Sequence, residues 1–91
     1  MIQIYLKLIQ KFGPQMQQDV AIEEMSELTK AIIKYRRKQH DRKATTLDLE
    51  HIGEEIADVE IMLDQLKIIY NCSNVVNKFR QQKDERLTRL I

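Results

Sequence analysis

The chain has 91 residues, 43% of them hydrophobic, with a net charge of +1 and a single cysteine. That composition describes one small helical domain over residues 1–91 and argues against bulk electrostatic binding to nucleic acid or to a membrane surface. No apolar run approaches the roughly 20 residues that cross a bilayer, and lone Cys72 rules out an intrachain disulfide, which suits a reduced, cytoplasmic setting.

Two glycines and one proline leave little material for turns, and no segment alternates apolar and polar residues, so the reading is all-α. A first helix is expected from Ile2 to Phe12, with Ile2, Tyr5, Leu6 and Ile9 on one side. Its sequence offers no small-residue cleavage site after an uninterrupted apolar core, so it is not read as a signal peptide. "GP" at 13–14 ends it, and Pro14 suits the first turn of the next helix, which should reach about Gln39. "HDRKATT", 40–46, reads as a loop, with Thr46 or Asp48 capping a third helix. Along that helix Leu49, Ile52, Ile56, Val59, Leu63, Leu66 and Tyr70 alternate spacings of three and four, a packing seam. "NCSN" at 71–74 breaks the pattern, with Ser73 as the expected cap of a last helix from Val75 or Val76 to about Leu90. Apolar stripes this long on a chain this short point to a four-helix bundle completed by oligomerisation.

Charge falls in blocks. Seven of the 15 basic residues lie between Lys30 and Lys43, five more between Lys78 and Arg89, and seven of the 14 acids between Asp48 and Asp64. A helix turns about 100° per residue, so Glu55 and Asp58 share one flank of the third helix beside its seam. Glu24 and Glu27 have the same relation on the second helix. An acid on a helix is usually offset by a base three or four residues away. Here only Glu27 has one, at Lys30. Partly burying such unpaired groups is costly unless a cation compensates. Two facing pairs would form an oxygen-lined cage suited to a hard dication, Mg²⁺ or alternatively Mn²⁺. Zinc or a di-iron centre fits less well, since no Glu-x-x-His pair is present. The competing readings are solvated helix faces, or acidic faces that meet basic helices across a protein interface.

"EEMSEL" at 23–28, followed after a loop by "EEIADV" at 54–59, resembles the MazG-like all-α nucleoside triphosphate pyrophosphohydrolases, whose signature is two acids three apart on one helix and Glu-x-x-Asp on the next. The resemblance covers both long helices, about residues 16 to 70. It implies a MazG-like bundle, likewise all-α, that hydrolyses a nucleoside triphosphate between the α- and β-phosphates; the oligomer expected from the apolar stripes is a homodimer or homotetramer. It also implies that Glu24, Glu27, Glu55 and Asp58 are the Mg²⁺ ligands. Glu23 and Glu54 take the doublet positions beside those ligands, where a carboxylate outside the metal set would orient water or accept its proton. Family members often supply Lys and Arg from the last helix, which selects Lys83 and Arg86 as phosphate contacts, together with Lys30 one turn beyond Glu27. A related family, phosphoribosyl-ATP pyrophosphohydrolase, usually carries aromatic and His residues after the second acid pair, whereas "VEIML" follows Asp58 here. The alternative from another class is a non-catalytic helical oligomer, an adaptor or regulator whose acidic face binds a basic partner.

Overall fold

The computed structural model describes residues 1–91 and contains four helices and no strand: α1 (Ile2–Phe12), α2 (Pro14–His40), α3 (Thr46–Ile69) and α4 (Ser73–Thr88). The α1–α2 boundary is sharp because Gly13 takes φ +89°, a conformation L side chains rarely adopt. Its N–H donates to the Ile9 carbonyl at 2.8 Å while Pro14 opens α2. At the far end of α2, Arg42 is left-handed at φ 58°, and the Lys43 N–H reaches back to the Lys38 carbonyl at 2.7 Å. Asn71 does the same after α3, at φ 50°, with the Cys72 N–H on the Lys67 carbonyl at 3.0 Å. Both are six-to-one closures that satisfy the last carbonyls of a helix. Asparagine is a common residue for that conformation and arginine is not.

The cap of α3 differs from expectation. Thr45, not Thr46 or Asp48, is the N-cap, and Asp48 at the third helical position accepts from the Thr45 N–H at 2.9 Å and from its hydroxyl at 3.1 Å. Ser73 is likewise not a cap but the first residue of α4, which follows Cys72 and starts two residues before Val75.

Lys38 reaches across the 41–45 loop to Asp48 at 2.7 Å, tying the end of α2 to the start of α3. The Lys38 hydrogen bond, then that from the Thr45 backbone, holds the Asp48 carboxyl down to about 2 from 3.8. The folded value lies below the unfolded one, so this stabilisation is complete above about pH 3.8 and is lost as pH falls towards 2. Between those limits the thermal midpoint of the native chain should fall more steeply with acid than that of Asp48→Asn. Parallel slopes in a pH series of melts would refute the clamp.

α2 and α3 form an antiparallel hairpin, joined at one end by Lys38–Asp48 and at the other by Gln17–Gln65 and the Tyr70 hydroxyl, which donates to Gln18 Oε1. α1 and α4 flank this pair. α1 inserts Tyr5, with Leu8 and Ile9 half-buried, whereas Ile2 and Leu6, expected on its inner side, are exposed. The core is thin: Tyr5, Ala21, Ala31 and Met62 are its buried apolar residues, and the largest fully buried side chain is Gln65. The Gln17 side-chain amide donates to Gln65 Oε1 at 2.8 Å, and Gln65 Nε2 lies 3.7 Å from Met62 Sδ. Burying amides this way is tolerable because they pair.

The α3 seam is only half used. Ile52, Val59 and Leu66 are half-buried, but Leu49, Ile56, Leu63 and Tyr70 face outwards. The face turned to α2 is instead Glu55, Met62 and Gln65, rotated from the apolar row by about 100°. From Asn77 onwards every residue of α4 is exposed.

Candidate metal centre

The antiparallel hairpin brings the middle of α2 against the middle of α3. Glu24 lies one turn after buried Ala21 on the face of α2 that meets α3, while Glu55, Asp58, Met62 and Gln65, spaced three, four and three, form the answering face. Carboxylate oxygens of Glu24, Glu55 and Asp58 all come within 4.8 Å of one another. Glu55 is 8% exposed and the other two are half-buried.

No lysine or arginine makes an ion pair with any of the three. Burial, then the charges of Asp58, Glu55, Glu23 and Glu27, push the Glu24 carboxyl above its usual 4.5. Glu55 Oε1 stands 3.8 Å from His51 Nε2, too long for a hydrogen bond. Glu55 Oε2 is buried and has no partner at all. A buried polar oxygen left without a donor is rare in folded chains, and either a cation or a hydrogen-bond donor would satisfy it.

The donor set tests which group fits. Three carboxylates from two helices are hard oxygen ligands of the kind Mg²⁺ prefers. Zinc fits less well: Cys72 sits in the α3–α4 turn, and His51, the one imidazole beside Glu55, is largely exposed and outside the three-carboxylate group.

Three of the four sequence-selected ligands, Glu24, Glu55 and Asp58, therefore meet, and Glu27 does not join them. Its carboxylate lies 3.5 Å from Lys30 Nζ on the exposed side of α2, so Lys30 too is engaged away from the cluster. Glu23 and Glu54 are exposed and unbonded beside their ligand neighbours. Lys83 and Arg86 lie on the exposed part of α4 with no ion pair to the cluster. Sequence reasoning passed over Gln17 and Gln65, which set the register of the two helices beneath the acids. The available signal was Gln65 itself, in phase with Glu55, Asp58 and Met62 on a helix whose apolar row lies elsewhere.

The resemblance to MazG-like enzymes thus stands on the two quoted acid motifs, since no protein-family model, curated protein or solved structure matches the chain.

Proposed function

We propose that this protein is a Mg²⁺-dependent nucleoside triphosphate pyrophosphohydrolase, converting a (deoxy)nucleoside triphosphate and water to the monophosphate and pyrophosphate. The observation that carries this reading is the buried, partnerless Oε2 of Glu55, set among the carboxylates of Glu24 and Asp58.

In this reaction water adds to the α-phosphorus as the bond to the bridging oxygen breaks, and pyrophosphate leaves with that oxygen. A triphosphate repels an incoming nucleophile, and a divalent cation supplies neutralisation of that charge. Glu24, Glu55 and Asp58 would hold the cation. Glu54 and Glu23, exposed next to two of those acids, would take the proton of the attacking water. Lys83 and Arg86 would bind phosphate oxygens as strong donors, and Lys30 would do so on leaving Glu27. Removal of non-canonical nucleotides from the precursor pool is one role such a reaction serves. The active form is read as a homodimer or homotetramer in the cytoplasm.

A non-catalytic helical adaptor with an acidic face makes a different forecast for metal. A ligand that binds only the folded state raises stability by about 2.7 kcal/mol at a hundred times its dissociation constant. Millimolar Mg²⁺ with a nucleoside triphosphate should therefore raise the thermal midpoint of the chelator-treated protein, and pyrophosphate should appear on incubation. Melts indifferent to metal and nucleotide, with no pyrophosphate from a panel of canonical and damaged nucleotides, would favour the adaptor.

A further inference from the structure

We infer that the outward row of α3, Leu49, Ile56, Leu63 and Tyr70 with Gly53 beside it, is the surface on which a second copy of this chain packs. This goes beyond the oligomeric state named above by assigning the interface, and it does not depend on the hydrolytic reaction.

The first support is area. One chain exposes 7658 Å², whereas a compact monomer of 10.9 kDa exposes about 5,600 Å². Its radius of gyration, 16.4 Å, likewise exceeds the roughly 12 Å of a compact 91-residue domain. Covering an excess of about 2,000 Å² on each of two copies would bury about 4,000 Å² in total, within the range of obligate homodimers. Part of that excess is α4, exposed from Asn77 onwards, so the area calls for an extensive partner without locating it.

The second support is the form of the row. Leu49, Ile56, Leu63 and Tyr70 recur every seven residues, the period at which one helix keeps a single row against another. They are 42–60% exposed, although Ile52, Val59 and Leu66 beside them are already half-covered by the chain's own helices. The row therefore continues an existing packing surface outwards. Leu63 also borders an open cleft of about 570 Å³ between α3 and α4, whose apolar floor of Leu66 and Val76 is rimmed by Glu60, Asp64, Lys67 and Arg80.

The third support is Gly53. A glycine inside a helix is unfavourable relative to alanine, and a Cβ here would meet nothing within 4 Å in the single chain. Nothing inside one chain uses the missing side chain. A neighbouring helix lying close along the row would use it.

The test is sedimentation equilibrium of the purified chain between 1 and 50 µM, with Ile56→Glu and Leu63→Glu as interface variants and Ile22→Glu, on the opposite side of α2, as control. The native chain and the control should associate, and each interface variant should associate on the order of 100-fold more weakly while keeping its helical circular dichroism. A native chain that is monomeric at 50 µM would overturn the inference and assign the row to a different partner. So would interface variants that associate normally. Should the glutamate variants unfold, Ile56→Cys in a Cys72→Ser background gives a second readout. Oxidation should form intermolecular dimers far faster there than for Glu85→Cys, and equal rates would overturn the assignment. Pyrophosphate release is measured in parallel on the native chain, so a failed interface and a failed hydrolase give separate results.

Discussion

Asp58→Asn and Glu55→Gln should each cut pyrophosphate release by on the order of 10²–10³-fold, about 3–4 kcal/mol of transition-state stabilisation, while making the metal-free protein more stable. Both outcomes have one origin. Three carboxylates within 4.8 Å of one another repel, and the hairpin holds them together although no base offsets them. Neutralising one member relieves that repulsion. The thermal midpoint without metal should rise by several degrees, since about 1 kcal/mol shifts a domain of this size by roughly 4–8 °C. The same substitution removes a charged ligand, so the stabilisation by Mg²⁺ should shrink or vanish. Opposite signs with and without metal distinguish a ligand from a merely structural acid. Glu27→Gln is the internal comparison. Its carboxylate already has Lys30 as partner outside the cluster, so its effect on turnover should stay below about 10-fold. If Glu27→Gln were as damaging as Asp58→Asn, its side chain would have to leave Lys30 and join the other three. Full activity in Asp58→Asn would remove the cluster from the chemistry altogether.

Breaking the Gln17–Gln65 pair should cost more stability than any surface substitution. Gln65 is 2% exposed and its Oε1 accepts the 2.8 Å hydrogen bond from the Gln17 amide. In Gln17→Leu that oxygen keeps its burial and loses its donor, a penalty of about 1–3 kcal/mol. Gln65→Leu strands the Gln17 amide in the same way. The double leucine variant leaves neither group orphaned and should recover most of the loss, with a non-additivity of about 1–2 kcal/mol in a denaturant cycle. Strict additivity would mean that the two amides are not coupled.

The sequence made the helix count legible, and the α1–α2 boundary with it, because glycine and proline at 13–14 leave one solution for the backbone. The start of α3 shifted by one residue, since Thr45, Thr46 and Asp48 can all cap and only the reach of the Asp48 carboxylate back to the Thr45 N–H decides among them. The rotation of α3 was not legible. A row of apolar residues with spacing three and four shows that a helix has a sticky side, but not which neighbour takes it. In this chain the row lies mostly outwards, while a glutamate, a methionine and a glutamine occupy the inner face. Within the candidate site, Glu-x-x-Asp on α3 could be read because three-residue spacing places both acids on one flank. Glu27 was selected by motif, although Lys30 three residues on already offered its carboxylate a local partner. The buried amides went unread because a glutamine in phase with two carboxylates reads as part of a polar, solvated face.

The state of α4 has a consequence for how this protein meets other molecules. Sixteen residues are marginal for an isolated helix in water, and beyond its first turn this one rests on almost nothing. Little of its order comes from packing, so a ligand bound by Lys83 and Arg86, as proposed above, would spend part of its binding energy stiffening the arm. Such an arm is tuned by fit: a ligand that touches only one of its turns gains little, and one that spans several gains the whole cooperative helix.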